Sequence, residues 1–348
     1  MNTQMRAALL MIACFAAHMA FATTRRVLFI GNSYIYSNNM PLMLQNMATA
    51  LGDTLIYDES DPGGYTFEMH STYAPTITKI FAQPWDAVVL QEQSQRPSFP
   101  PAQVATDVYP YAHILDSLIN ANDTCSQTMF LMTWGRANGD AMNCPSYPVV
   151  CTYAGMQMRL RESYMQMTQD NDAVVAPVGV AWKAVKDSFP AIGLYQPDSS
   201  HPSLDGSYLE AAVMYASLFH KRTYGCTYSA GLATTTVQTL QRITDRVVFD
   251  SLSHYQQYGH YPAAIFTHTV SGSTVGFTGK SPVPADDYWL FGDGGSDTAS
   301  NPGHTYTATG SYVVKHTVTT DCFTETITTT VHVGTLSVND AANTPIMT

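Results

Sequence analysis

Apolar and polar positions alternate in two different ways along this chain of 348 residues. From Arg25 to about Tyr258, short continuous apolar runs are separated by longer stretches in which apolar residues recur at helical spacing. The predicted strands cover residues 27–31, 54–57, 87–91, 128–133 and 173–176. The predicted helices include residues 40–51, 71–83, 102–120 and 153–169. Because both faces of such apolar strands must be buried, this pattern predicts a parallel sheet covered by helices on both sides.

Helical spacing ends after about Tyr261, where short alternating runs rich in Thr, Val, Gly and Tyr begin. These predicted strands cover residues 264–270, 273–276, 288–290, 310–318 and 324–333. Such runs are typical of an all-β sandwich. We therefore expect an α/β domain at residues 25–258, an all-β domain at 263–334 and a polar linker or tail at 335–348.

The N-terminus has the pattern of a signal peptide over residues 1–22. An apolar stretch follows Arg6 and ends in Ala20-Phe21-Ala22, which offers a cleavage site. We expect a secreted or cell-surface protein whose mature chain starts at Thr23. The alternative is lipoprotein processing at Cys14, although the preceding residues lack the usual leucine.

Composition and charge argue against several classes of partner. Only 12% of the residues are charged, the formal net charge is −11, and no basic run extends beyond Arg25-Arg26. Nucleic acid and anionic membrane surfaces are therefore poor partners. No apolar run after the leader is long enough to span a bilayer. A neutral, hydrogen-bonding substrate fits this composition better.

Removal of the leader would leave an odd number of cysteines, five, in an exported chain. Cys144 and Cys151 bracket a proline-containing loop and are the predicted disulfide pair. The pairing among Cys125, Cys226 and Cys322 stays open. A zinc site is the alternative, but no C-x-x-C or H-x-x-x-H spacing supports it. We expect no metal and no other cofactor.

Two short motifs carry the candidate chemistry. Gly31-Asn32-Ser33 puts a serine at the exit of the first predicted strand, and Asp198-Ser199-Ser200-His201 puts an acid three residues before a histidine. A hydroxyl becomes a nucleophile when an imidazole takes its proton, and an acceptor must hold that imidazole in one tautomer. Ligands of such sheets bind beyond the carboxyl ends of the strands, where Ser33 is predicted to lie. The motifs therefore predict a serine hydrolase.

Each motif by itself also fits a structural role. Gly-Asn-Ser is a frequent turn, and D-x-x-H-P could cap a helix. Their order and their positions at strand ends favour the hydrolase. The remaining histidines, such as His70, His113 and His220, are expected on the surface or on helix faces.

With these motifs the first domain resembles the G-N-S branch of the SGNH, or GDSL-like, hydrolases. The resemblance implies a flavodoxin-like three-layer α/β/α fold and the catalytic residues Ser33, Asp198 and His201. It also implies an oxyanion hole made by the backbone N–H groups of Ser33 and Gly64 and by the amide of a third block.

That third block departs from the family pattern. The family usually has G-x-N-D after the third strand, whereas here the strand runs into Gln91-Glu92-Gln93-Ser94-Gln95 without an asparagine. A glutamine amide offers the same donor on a longer side chain, so Gln93 is favoured, with Gln91 and Gln95 as alternatives. This block and Thr133-Trp134-Gly135-Arg136 match strings of the same branch. The resemblance implies substrate contacts from Asn32, Gln91, Trp134 and Arg136.

The second domain resembles the polycystic-kidney-disease (PKD) repeat, an immunoglobulin-like module. Trp289-Leu290-Phe291-Gly292-Asp293-Gly294 matches its first motif, and Asn301-Pro302-Gly303-His304-Thr305-Tyr306 matches its second. Such modules are extracellular spacers or adhesion units, so this one is expected to contact a cell-surface glycan and to carry no chemistry.

The sequence thus predicts a secreted carboxylic ester hydrolase that removes small acyl groups, such as acetyl, from carbohydrate. A lipase-like or thioesterase substrate is an alternative within the same chemistry. A different class of function is a non-catalytic glycan-binding or adhesion protein on a hydrolase scaffold. The missing asparagine favours that alternative, and the intact Ser33, Asp198 and His201 favour the enzyme.

Overall fold

The computed structural model describes residues 22–256 and 259–334. The predicted leader, apart from Ala22, and the predicted tail lie outside these residues. Below, "α/β domain" denotes residues 22–256 and "β-sandwich" residues 259–334, while the predicted domain limits stay a prediction.

Five strands and eleven helices make up the α/β domain. The strands are β1 (Thr24–Ile30), β2 (Thr54–Ser60), β3 (Ala87–Leu90), β4 (Gln127–Leu131) and β5 (Val174–Ala176). The helices are α1 (Ser33–Tyr36), α2 (Met40–Ala50), α3 (Phe67–Thr72), α4 (Ala74–Ile80), α5 (Pro101–Asp107), α6 (Tyr109–Asn122), α7 (Tyr153–Asp170), α8 (Val178–Ser188), α9 (Leu204–Phe219), α10 (Thr234–Phe249) and α11 (Leu252–Tyr255). Short 3-10 turns occur at Ser37–Asn39, Arg96–Ser98 and Pro148–Cys151.

The sheet has the strand order β2-β1-β3-β4-β5 with all neighbours parallel, which is the flavodoxin-like order. In β1, Val27 and Phe29 face one hydrophobic core, and Leu28 and Ile30 face the other. Helices α2, α8, α9 and α10 cover the first core, and α5, α6 and α7 cover the second. The predicted three-layer fold is therefore confirmed.

Two predicted helices are each divided in the structure. Residues 71–83 fall in α3 and α4, and residues 102–120 fall in α5 and α6. Pro75 and Pro110 lie at the second positions of α4 and α6. Proline lacks an N–H and clashes with the preceding turn, so it is tolerated at a helix start and ends any helix before it. The prediction of one continuous helix over each of these two stretches was wrong.

Helix α9 starts just after the D-x-x-H motif and is buried on all sides. Every side chain from Gly206 to Phe219 is buried, because α2, α8 and α10 surround α9 above the sheet. A helix that carries apolar residues on every face, as α9 does, is stable only when other elements enclose it. Across the two described ranges, none of the helices has the length and apolar character of a membrane span.

The β-sandwich consists of seven strands in two antiparallel sheets. They are β6 (Phe266–Ser271), β7 (Thr274–Gly279), β8 (Asp286–Leu290), β9 (Ser296–Asp297), β10 (Gly303–Thr305), β11 (Gly310–Thr319) and β12 (Thr324–Val333). The sheet orders are β10-β7-β6 and β12-β11-β8-β9. Trp289 is fully buried between the sheets, where its ring stacks 3.7 Å from that of His316. The predicted all-β sandwich is confirmed.

A covalent bond and a buried charge cluster join the two domains. Cys125, just before β4, forms a disulfide with Cys322 of the β-sandwich. Glu325 on β12 accepts a hydrogen bond from Arg25 at 2.6 Å and lies 3.3 Å from Nδ1 of His220. Burial opposes the charge of His220, but the carboxylate of Glu325 outweighs it and raises the pKa of the imidazole. His220 was predicted on the surface or on a helix face; it follows the end of α9 and is buried, so the surface position is wrong.

The structure contains the one disulfide that was predicted and shows the pairing that was left open. Cys144 and Cys151 form the predicted disulfide. Of the three cysteines whose pairing was open, Cys125 and Cys322 pair, and Cys226 stays a buried thiol.

Candidate active site

Ser33 is the first residue of α1, directly beyond the carboxyl end of β1. Asn32 caps this helix, and its Oδ1 accepts the N–H of Tyr34 at 3.3 Å. Gly31 is required here because a Cβ at this position would lie 2.6 Å from Oε1 of Gln91. The sharp turn therefore presents the serine hydroxyl at the sheet edge.

The three residues predicted as catalytic are in direct contact. Nε2 of His201 lies 2.9 Å from Oγ of Ser33, and Nδ1 of His201 is hydrogen-bonded to Oδ2 of Asp198. The other oxygen of Asp198 accepts the backbone N–H groups of Ser200 and His201, both at 3.0 Å. Burial opposes ionisation of Asp198, but these hydrogen bonds outweigh it and lower the pKa of the carboxyl. The acid therefore stays charged and fixes the histidine tautomer.

Residues 198–201, called the catalytic loop below, contain a strained residue. Ser199 has φ = 62°, a left-handed conformation that non-glycine residues seldom adopt. Its carbonyl accepts the N–H of Ala137 at 2.9 Å. This contact, from the loop after β4, helps to hold the strained conformation.

A stack of aromatic rings is hydrogen-bonded to the catalytic loop at Ser200. The ring of Trp134 lies 4.7 Å from that of Tyr34 and 3.9 Å from that of Trp182. Its indole N–H donates to the carbonyl of Ser200 at 3.1 Å, and the hydroxyl of Tyr34 lies 2.8 Å from Oγ of Ser200. Trp134 is fully buried, so this structure assigns it a supporting role, while its predicted substrate contact stays a prediction.

The segment that carries Gly64 is joined to the nucleophile turn. Nδ2 of Asn32 donates to the carbonyl of Tyr65 at 2.9 Å. Gly64 has φ = +75°, which favours glycine. Asn32 is buried and both ends of its side chain are hydrogen-bonded, so it links the two segments. Its predicted contact with substrate is not tested by this geometry.

The three candidate glutamines of the third block differ in how their amides are bonded. Gln91 is fully buried; its Oε1 accepts the N–H of Asn32 at 3.0 Å and its Nε2 is bonded to the carbonyl of Glu92. Gln95 donates to Asp140 at 2.8 Å. Gln93 is half-buried, and its Nε2 has only a long contact of 3.3 Å with Gln95.

The orientation of the Gln93 amide is fixed by the backbone. Its Oε1 accepts the N–H of Gln95 at 2.9 Å and that of Arg96 at 3.3 Å. The NH2 group keeps only its long contact with the side chain of Gln95. Of the three amides, that of Gln93 has the donor with the weakest competing bond.

Two buried residues near the site were missed by the sequence analysis. His70 donates from Nε2 to the carbonyl of Gly31 at 2.8 Å and accepts at Nδ1 from the hydroxyl of Thr76. It lies on helix α3, one of its two predicted positions, but it is fully buried and not on the surface. Burial lowers its pKa to about 4. The neutral ring thus braces the nucleophile turn.

Glu92 is the second missed residue. Its carboxyl accepts the N–H of Phe67 at 3.1 Å and that of Gln93 at 2.6 Å. Complete burial raises its pKa to about 8, against the effect of these two hydrogen bonds. A carboxylate directly after a buried strand was the one signal in the sequence that could have indicated it.

Arg136 lies just after β4 with 26% of its side chain exposed. Its Nη1 is 3.7 Å from Oδ1 of Asp140, which precedes the loop closed by the Cys144–Cys151 disulfide. The structure thus brings Arg136 close to the catalytic loop through the neighbouring Ala137.

Comparisons with known proteins agree with this two-part architecture. The family model described as the PKD domain matches residues 262–334. A DUF4886 family protein from Bacteroides uniformis is 17% identical over 65% of this chain and 96% of its own, with a TM-score of 0.55. A protein from Slackia heliotrinireducens assigned to the SGNH hydrolases is 27% identical over 55% and 97%, with a TM-score of 0.46.

The β-sandwich has its own solved relatives. The PKD1 domain of the Vibrio cholerae metalloprotease PrtV is 33% identical over 20% of this chain and 94% of its own, with a TM-score of 0.20. The search of the curated proteins gives no match. Residues 262–334 are therefore a PKD domain, and the Bacteroides uniformis structure shows the fold of the α/β domain.

Proposed function

We propose that this protein is a serine ester hydrolase that works through an acyl-enzyme. The observation that carries the proposal is the continuous hydrogen-bonded chain from Oγ of Ser33 through the ring of His201 to Asp198. An activated serine needs all three groups in this order and geometry.

In this mechanism His201 takes the proton of Ser33 as Oγ attacks the ester carbonyl. Asp198 stabilises the imidazolium that forms. The imidazolium then protonates the leaving alcohol, and the acyl group stays on Ser33. Water attacks the acyl-enzyme with His201 as the base, which releases the acid and restores the serine.

The developing oxyanion needs donors that are fixed before reaction. We assign this role to the backbone N–H groups of Ser33 and Gly64 and to the side-chain amide of Gln93. The fixed orientation of the Gln93 amide supports its choice over Gln91 and Gln95. This glutamine replaces the asparagine that the family usually has.

For the substrate we propose small acyl esters, such as acetyl, on carbohydrate, acted on by an exported enzyme. The PKD domain at 262–334 and the two disulfides support an extracellular setting. The PKD domain would then contact a cell-surface glycan. The half-exposed tyrosines near the nucleophile, Tyr36 and Tyr65, suit the faces of sugar rings better than a long acyl chain.

The test is hydrolysis of p-nitrophenyl acetate by the mature chain, beside Ser33→Ala and His201→Ala. We expect both variants to lose at least about 10⁴-fold in kcat, because the triad acts as a unit. Labelling by a fluorophosphonate probe should occur in the wild type and be absent from Ser33→Ala. Equal hydrolysis by all three proteins without labelling would support the non-catalytic binding protein instead.

A further inference from the structure

Arg136 places a guanidinium beside the catalytic loop. The next residue, Ala137, donates its N–H to the carbonyl of Ser199 in the middle of this loop. Burial raises the pKa of the Tyr34 hydroxyl, and the positive charge of Arg136 is one of the smaller effects that oppose this rise. The Tyr34 ring packs 5.5 Å from that of the catalytic histidine. The segment that carries Arg136 is thus bonded directly to the catalytic loop.

The acid beside Arg136 is already saturated by other donors. Oδ2 of Asp140 accepts from Gln95 at 2.8 Å and from Nδ2 of Asn143 at 2.6 Å. Its Oδ1 accepts the backbone N–H of Met142 at 3.2 Å. Nη1 of Arg136 stays 3.7 Å away, beyond hydrogen-bond distance. Asp140 therefore does not need the arginine to satisfy its carboxylate.

The guanidinium itself lacks hydrogen bonds. Nε of Arg136 is buried without a partner, and no side-chain hydrogen bond of Arg136 occurs among the described residues. A buried donor without an acceptor costs free energy, more so when it is charged. A guanidinium has five donors in a planar fork that fits the two oxygens of a carboxylate. An acceptor that arrives with the substrate would satisfy these donors.

We propose that Arg136 binds a carboxylate of the substrate, so that the preferred esters are acyl groups on acidic sugars of the uronic acid class. This inference rests on the proposed function. It differs from the expectation of a neutral substrate, which was drawn from the net charge of the whole chain and not from the charges near Ser33.

The test compares two forms of one substrate, O-acetylated tri-galacturonic acid with free carboxyls and the same compound with its carboxyls methyl-esterified. Acetate release gives kcat/KM for each form. We expect the wild type to prefer the free acid by about tenfold or more, which corresponds to one charge-assisted contact. This preference should fall as NaCl is raised from about 0.05 to about 1 M, because salt screens a partly exposed pair.

Variants of Arg136 then assign the preference to this side chain. In Arg136→Gln the ratio of the two kcat/KM values should fall to about one, whereas Arg136→Lys should keep part of it. The matched control is Arg161→Gln, an exposed arginine on α7 that contacts His254, which should keep the wild-type ratio. A ratio that Arg136→Gln leaves unchanged overturns the proposal.

The wild type alone also decides the question if a variant fails to fold. Equal efficiency on both forms, or acetate release from neither form by an enzyme active on p-nitrophenyl acetate, contradicts the role of Arg136 and leaves the ester hydrolase standing. Absence of serine-dependent hydrolysis of p-nitrophenyl acetate contradicts the proposed function itself.

Discussion

Buried polar side chains fix the backbone around Ser33. His70 bonds the carbonyl of Gly31, and Gln91 accepts the N–H of Asn32. Since an unbonded buried polar group is costly, each of these contacts penalises any movement of the turn. The serine is therefore held in its reactive position before substrate binds, as oxyanion stabilisation requires.

The residue that most needs a test is Gln93. If its amide binds the oxyanion, Gln93→Ala should lower kcat by about 10²- to 10³-fold with a smaller change in KM, because the donor acts mainly on the transition state. Steady-state kinetics with p-nitrophenyl acetate measures this. Gln166→Ala, at an exposed position on α7, is the control and should match the wild type.

Similar kinetics for Gln93→Ala and Gln166→Ala would mean that another group supplies the third donor. The same measurement on Gln95→Ala would then examine the next candidate, whose amide is bonded to Asp140.

At the scale of elements, the sequence was sufficient for the sheet. Short apolar runs such as 87–90 are too short for a helix and favour a buried strand, and strands were predicted at the positions of β1 to β5. Helix limits were predicted less well, because Pro75 and Pro110 divide stretches whose apolar spacing continues through the break. The contacts among Ser33, Asp198 and His201 were predicted because each residue lies in a short motif, while their catalytic role stays a proposal. Contacts of His70 and Glu92 depend on packing between distant segments, which no local pattern encodes.

Helix α9 contains a carboxyl in a setting unusual for an ionisable group. Glu210 is fully buried, and neither of its oxygens has a hydrogen-bond partner in the described structure. Burial raises its pKa well above the usual value. The folded state therefore holds a proton that the unfolded chain releases above its own pKa, so stability falls as pH rises beyond about 4.5.

Replacing this residue by methionine should stabilise the protein. Glu210→Met keeps the volume and removes the buried polar group, so the free energy of unfolding at pH 7 should rise by about 1 to 3 kcal/mol. The gain should shrink towards pH 4, where the unfolded chain is protonated too. Urea unfolding at several pH values measures both effects. Gln103→Met, at an exposed position on α5, should change stability by no more than about 0.5 kcal/mol. A destabilised Glu210→Met would show that the carboxyl has a structural function.

At the scale of the whole molecule, the two domains are joined at one place by the Cys125–Cys322 disulfide and the cluster around Glu325. The disulfide spans a sequence separation of 197 residues, whereas Cys144–Cys151 spans 7. Closing a longer loop removes more entropy from the unfolded chain.

The two disulfides should therefore differ in their effect on stability. On the loop-entropy estimate, Cys125→Ser/Cys322→Ser should cost about 5 kcal/mol, and Cys144→Ser/Cys151→Ser about 2 to 3 kcal/mol. Calorimetry should also show the first variant melting in two transitions, because without this cross-link the domains are joined only through the polypeptide chain and the contacts around Glu325. Equal shifts in Tm for the two variants would contradict this account.

If the proposed function is correct, the position of this junction determines how the protein meets its substrate. Arg25 and Cys125 lie near the starts of β1 and β4, whereas Ser33 follows the end of β1. A strand of seven residues separates these two edges by roughly 23 Å. The sheet edge that carries Ser33 thus faces away from the PKD domain. An ester hydrolase bound to a wall or fibre through this domain would hydrolyse esters on chains that arrive from the surrounding medium. It would not act on the material to which it is bound.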